Sequence, residues 1–169
     1  MASRTAWTAG NGVGLTWTSC FASADLQSLA YFSSVMSSSA DIANDTYLDQ
    51  YADVACQFTI ASSTIAAGAY MALYLLDRYN IDGTNTWYGG GLYASGGTQS
   101  TTNFLSGFVG SVALDTRATV TLIPCIFKGI VLPPRPFRFG IQNGCGFTLS
   151  ATAGSQRIYY TTYNVNLNN

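Results

Sequence analysis

Apolar and polar residues alternate by twos along much of this chain. In "DVACQFTI", Val54, Cys56, Phe58 and Ile60 share one parity, and Asp53, Ala55, Gln57 and Thr59 the other. Successive side chains of a strand point to opposite faces, so the segment reads as a half-buried strand. "ASSTIAAGA" then supplies small residues and a glycine for a connection. Beyond it, Ala69, Met71, Leu73 and Leu75 alternate with Tyr70, Ala72, Tyr74 and Leu76. Both sets are apolar or aromatic, as in a central strand covered on both faces. Between Asp53 and Asp77 there is no charge, and the stretch is long enough to cross a bilayer as a helix. Such a helix would bury Gln57 with several serines and threonines, and it would have Asp rather than Lys or Arg at both ends. Two strands and a turn fit better.

The same grammar recurs. "RATVTLIP" sets Ala118, Val120 and Leu122 against Arg117, Thr119 and Thr121. "GVGLTWTSC", "YFSSVMSSS" and the glycine-weakened "FLSGFVGSV" are shorter strand candidates. "RIYYTTYNVNL" puts Tyr159, Thr161, Tyr163, Val165 and Leu167 on one side. In "PFRFGIQNGCGFTL" a three-residue loop, Gln142-Asn143-Gly144, would set Ile141 opposite Cys145 and Phe139 opposite Phe147. That gives one wholly apolar face, so a hairpin is expected there. Helix signals are poor. "SADLQSLAYF" could make a turn or two, and "DIANDTYLDQ" reads as loop. The Gly/Ser/Thr/Asn tract from Asp82 to Asn103 reads as an exposed loop or a set of short strands. About eight strands and almost no helix predict an all-β antiparallel β-sandwich of jelly-roll or related Greek-key type, with a small closed barrel as the alternative. Residues 1–12 are expected to be an N-terminal arm, and 13–169 a single sandwich domain.

Charge changes the picture. The 169 residues hold seven Lys+Arg, eight acids and no His, and every acid is Asp. Charged residues make up 9% of the chain, against the ~25–35% typical of designed soluble surfaces. The surface must then be neutral and polar, or much of it must face other proteins. The arginines are scattered, so neither nucleic acid nor an acidic membrane is expected as a partner. Cys20, Cys56, Cys125 and Cys145 form no CxxC and have no His beside them to complete a zinc shell. The even count permits two disulfides. "MASRTAWTAG" has no apolar run of signal-peptide length, which favours free, buried thiols.

The lack of His removes the Ser-His-Asp triad and the Cys-His pair together. Asp41, Asp45, Asp49 and Asp53 are evenly spaced. They could bind Ca²⁺ or pair as glycosidase carboxylates, but the EF-hand spacing and glycine are missing. Loop residues that bond their own backbone are the plainer reading. "GGGLYASGG" lacks the ending of a phosphate loop. Trp87, Tyr88 and Tyr93 could stack on sugar rings or fill a subunit contact. No enzyme activity, cofactor or metal is expected.

Taken in order, "TWTSCFASADLQSLA", "SSVMSSSADIAN", "YADVACQFTIA", "AYMALYLLDRYNIDGT", "LPPRPFRFGIQNGCGFTL" and "YYTTYNVNL" cover most of the chain. In order and texture it resembles the small jelly-roll virion proteins of tailed bacteriophages, especially those that decorate or cement the head. The tract between Asp82 and Asn103 has no evident counterpart. The resemblance implies a non-catalytic subunit on the outer head surface of the virion, commonly a trimer, assembled in the host cytoplasm on the major capsid protein shell. Arg4 and Trp7 of the arm are the residues expected to reach neighbours. The second reading is a carbohydrate-binding sandwich of a fibre or tail, using Trp87, Tyr88 and Tyr93.

Overall fold

The computed structural model describes residues 4–9, 16–60, 65–79, 87–88, 98–99, 107–114 and 122–168; of 4–9, 79, 87–88, 98–99, 122 and 166–168 it describes the backbone alone. The strands are β1 (Arg4–Ala9), β2 (Thr18–Ser19), β3 (Ser34–Met36), β4 (Tyr51–Thr59), β5 (Tyr70–Tyr79) and β6 (Trp87–Tyr88). They continue with β7 (Thr98–Gln99), β8 (Phe108–Ala113), β9 (Leu122–Val131), β10 (Phe137–Gly144) and β11 (Arg157–Asn168). One helical turn, α1 (Asn44–Tyr47), stands before β4.

Two antiparallel sheets pack face to face. In the first, β1 and β2 lie along one edge of β11, followed by β4 and β9. In the second, β8 and β6 lie along one edge of β5, followed by β10, β3 and β7. The pairs β1/β2·β11, β3·β10, β4·β9 and β5·β8 are those of one long hairpin rolled into two sheets. That is jelly-roll topology, so the all-β sandwich expected from the alternation is what the chain forms. The short β6 and β7 come from the polar tract between β5 and β8 and border the second sheet at opposite edges.

Alternation explains the layers. Along β4 burial switches at every residue, with Ala52, Val54, Cys56 and Phe58 inside. In β5, Met71, Leu73 and Leu75 face the sandwich interior, and Ala72, Tyr74 and Leu76 are also buried on the other side. This central strand is covered on both faces, as its composition suggests. The interior is closed by Phe58, Phe137, Phe139, Ile141 and Ile158, all essentially fully buried. Phe137 and Phe139 meet edge to face at 5.4 Å between ring centroids, and Phe139 reaches Tyr160 of the opposite sheet at 6.1 Å. Burying each of these side chains contributes about 1.5–3 kcal/mol, so the cluster supplies a substantial share of the cohesion between the sheets.

The hairpin expected around Asn143 does not form. β10 runs straight through Gln142 and Asn143 to Gly144, with β3 on one side and β5 on the other. Asn143 is buried. Its Nδ2 donates to the carbonyls of Leu29 (2.9 Å) and Phe147 (2.7 Å), and its Oδ1 accepts the Cys145 N–H (3.0 Å). These partners outweigh the local Asn-Gly turn preference. The chain bends later, at Gly146 (φ +90°), where a Cβ would stand 2.6 Å from Ala66 Cβ. Leu149 then bridges to Ile60 rather than pairing with Phe137. "SADLQSLAYF" forms turns, not helix, and the one helical turn among the described residues falls instead in "DIANDTYLDQ". The strand expected at 117–121 lies outside the described residues.

Candidate interaction surfaces

The outer face of the second sheet is closed over β3 and β5, while at its β8 edge Phe108, whose ring meets that of Tyr74 at 5.6 Å, is 57% exposed. Met36, Ala72, Tyr74 and Leu76 form a buried cluster there, with Tyr70 packed against it. The Tyr70 and Tyr74 hydroxyls each donate to Gln142 Oε1 at 3.3 Å. Burial raises the Tyr74 pKa above its ordinary value, with the neighbouring Tyr70 adding to it. Beside this cluster Asp41 binds Arg78 (2.8 Å) and Arg138 (2.5 Å), and Arg138 also donates to the Ser37 carbonyl. The two arginines project from adjacent strands, so the 37–42 segment is clamped over the sheet.

The outer face of the first sheet is built differently. In β9, Ile123, Cys125 and Phe127 point inward. One extra residue opposite Asp53, at Lys128-Gly129, then shifts the parity. Ile130 returns to the core and Val131 turns outward, 73% exposed. Gly129 takes a left-handed φ of +66°, as a bulge of this kind requires. Asp53 Oδ1 holds it by accepting the Gly129 N–H (2.9 Å) and the Tyr163 hydroxyl (3.2 Å). Tyr163 stacks on Tyr51 at 5.7 Å. Burial, and next the Asp53 charge, raise its pKa. Ile126 and Tyr159 lie in the same cross-strand row, either side of Ala55, and both are exposed. Between β8 and β9 is a cleft of about 390 Å³ lined by Leu75, Asp77, Phe108, Lys128, Ile130 and Val131.

Next to that end stands α1. Its C-terminal Leu48 has φ 52° and ψ 38°, left-handed for a residue with a branched side chain. Tyr47 and Leu48 are 56% and 58% exposed. Buried Asn44 fixes the turn: its Nδ2 donates to the carbonyls of Asp49 (3.0 Å) and Pro133 (2.7 Å), and its Oδ1 accepts the Asp49 N–H (2.8 Å). Two large apolar side chains are thereby held out into solvent by a satisfied polar scaffold.

Arg4 and Trp7 lie in β1, at the β11 edge of the first sheet, with Arg4 opposite Asn168 and Trp7 opposite Val165. This segment of the expected arm is therefore sheet. Trp87 and Tyr88 form β6, opposite Tyr79 and Arg78 at the edge of the second sheet. Tyr93 lies outside the described residues. The two sets are in different sheets. The four aspartates do not act together. Asp41 is in the ion-pair cluster, Asp45 is on α1, Asp49 accepts from Asn164 Nδ2 (3.1 Å), and Asp53 holds the bulge. Asp41, Asp49 and Asp53 thus bond partners far away in sequence, where turns within their own loop were expected. Among the described residues no three His, Cys, Asp or Glu gather into a metal-sized group, and no helix is long and apolar enough to cross a membrane.

All four cysteines are free and buried, as expected. Cys56 lies opposite Cys125 in register. Burial raises every thiol pKa, that of Cys125 to about 11, and the nearby Cys125 and Cys20 add to the rise at Cys56. Protonated and enclosed, they behave as small hydrophobes. Sequence reasoning missed Tyr47, Leu48, Phe108, Ile126 and Val131 as surface residues. The signal for the first two was present: an adjacent Tyr-Leu flanked by Asp45, Thr46, Asp49 and Gln50. Set against family models, curated proteins and solved structures, the chain matches none.

Proposed function

We propose that this chain is a structural virion protein that decorates or cements the head of a tailed bacteriophage, working as a homotrimer through protein–protein contacts. One observation carries the reading: the α1 turn. A left-handed Leu costs about 1–2 kcal/mol, and exposed Tyr and Leu side chains gain nothing from water. A buried asparagine that keeps both in place makes sense where they fit a partner as preformed anchors. The exposed Ile126, Val131 and Tyr159 on the outer face of the first sheet, the jelly-roll topology, the low charge and the sequence resemblance support the same role.

Sedimentation with empty heads of the phage whose genome carries the sequence tests it. The protein should pellet with heads, and about equally at low and high salt, because few ion pairs are at hand. Changing Tyr47→Ser and Leu48→Ser together should weaken binding about 30-fold or more while leaving the circular dichroism unchanged, as loss of an interface anchor does. Deleting residues 1–12 should weaken it too. Light scattering should give three times the 18.0 kDa chain mass. Protein that stays in the supernatant while glycan arrays bind it would establish the carbohydrate reading instead.

A further inference from the structure

β1 and β2 pair with the same edge of β11, in the same antiparallel sense. β1 lies along Tyr163–Asn168, and β2 along Tyr159 and Tyr160. Only Thr161 and Thr162 of β11 separate the two pairings, whereas residues 10–17 separate them in the chain. Along β11 the gap is three steps, about 10 Å. The intervening chain can reach about 30 Å. The covalent link is thus some threefold longer than pairing within one chain needs.

The far end of β11 has little other support. Its pairing with β4 ends at Tyr163 opposite Tyr51. Side chains continue the ladder for a further turn: Gln50 Oε1 accepts the Val165 N–H (3.2 Å), and Asn164 Oδ1 accepts the Gln50 N–H (2.9 Å). Beyond that, β1 is the one strand beside residues 166–168 among the described residues. Among the described residues β1 in turn pairs with no strand other than β11. An isolated two-stranded ribbon is marginal in water. Its register is well specified, its link to its own body is longer than the pairing needs, and the same backbone ladder forms whichever copy supplies the strand.

We propose that in the assembled trimer β1 is exchanged: each copy lays Arg4–Ala9 along the Tyr163–Asn168 edge of the next copy's β11. This rests on the trimeric decoration reading and deepens it, naming the segment that joins subunits. The contact is head-to-tail, and three such contacts close a ring.

Register supplies the test. Val165 turns its N–H toward Gln50, on the β4 side. In an antiparallel strand the N–H and C=O of one residue point the same way, so Trp7 and Val165 are a non-hydrogen-bonded pair, with Cα atoms about 4.5 Å apart. That separation admits a disulfide. Chains carrying Trp7→Cys alone and Val165→Cys alone are co-expressed, and the trimer fraction is treated with oxidised glutathione, which takes up the two electrons and two protons of the thiol pair. The native cysteines are buried, so unaltered protein should remain uncrosslinked. Exchange predicts a covalent product of twice 18.0 kDa that contains one chain of each kind. Thr5→Cys with Leu167→Cys, the next pair of the same parity, repeats the test with Trp7 intact.

The inference is overturned if neither mixture crosslinks and the doubly substituted chain instead closes a disulfide at single-chain mass. In that case an unchanged trimer that still pellets with heads leaves the decoration reading standing. Crosslinked trimers that ignore heads establish exchange and remove the decoration reading. Monomers at every concentration tested overturn the exchange.

Discussion

On the outer face of the second sheet, Met36, Ala72, Tyr74 and Leu76 are all buried; on that of the first, Ile126 is 48% and Val131 73% exposed. Both strands concerned, β5 and β9, carry apolar residues on both parities. What differs is the cover. Apolar residues on both faces of a strand therefore signal two-sided contact without saying whether this chain or another provides it. Over β5 the second contact lies within the chain. Over the end of β9 the bulge at Gly129 turns Val131 outward, close to the Tyr47–Leu48 turn, and nothing described covers it.

Substitutions can break this contrast. Phe139→Ala removes the ring joining the two sheets and should cost about 3–5 kcal/mol in urea unfolding. Leu76→Ala, on the closed outer face, should cost about 2–4 kcal/mol despite lying outside the sandwich interior. Ile126→Ala, on the open face, should stay within about 0.5 kcal/mol while weakening attachment to heads. Equal costs at positions 76 and 126 would show that the faces do not differ. Asp41→Ala belongs to the closed face as well. It leaves the largely buried Arg138 without this carboxylate and should cost about 2 kcal/mol, with Asp41→Asn costing less because it keeps acceptor oxygen.

A change of pH loads the interior between the two faces. Burial holds all four thiols protonated above their ordinary value of 9.0. From about pH 9 upward the unfolded chain gives up these protons and the folded chain keeps them. The folded state then binds more protons, so stability falls as pH rises until the folded thiols ionise too. Each thiol contributes a slope of up to about 1.4 kcal/mol per pH unit. Urea midpoints should be level from pH 6 to 8 and drop between 9 and 10.5, and Cys56→Ala should flatten the drop. A level profile through pH 10.5 would contradict this.

The sequence showed what short-range alternation can show. Val54, Cys56 and Phe58 announced an inside and an outside, and the two apolar parities of β5 announced double cover. It failed where distant partners decide. Asn143-Gly144 looks like a turn because turn propensity is local, but Asn143 answers to the carbonyls of Leu29 and Phe147, contacts that no neighbouring residue reveals. Asn44 is the same case. Its bonds to Asp49 and Pro133 make a rigid turn from a segment whose composition reads as plain loop. The placing of Arg4 and Trp7 in a strand had no local signal, since the ladder depends on a register with the other end of the chain.

The smallest effect is expected at the bulge itself, and it isolates conformation from packing. At Gly129 a Cβ would meet nothing within 4 Å, so Ala fits by volume. Its φ of +66° is left-handed, which costs a residue with a Cβ about 1 kcal/mol. Gly129→Ala should therefore lower stability by about that amount. Gly129→Asn should lose less, because Asn tolerates the left-handed region better. If packing mattered here instead, the larger Asn would be the worse of the two. The ordering Gly, Asn, Ala in urea midpoint supports a purely backbone requirement. The ordering Gly, Ala, Asn would mean that packing matters at this point of the open face as well, and that the two sheets differ less.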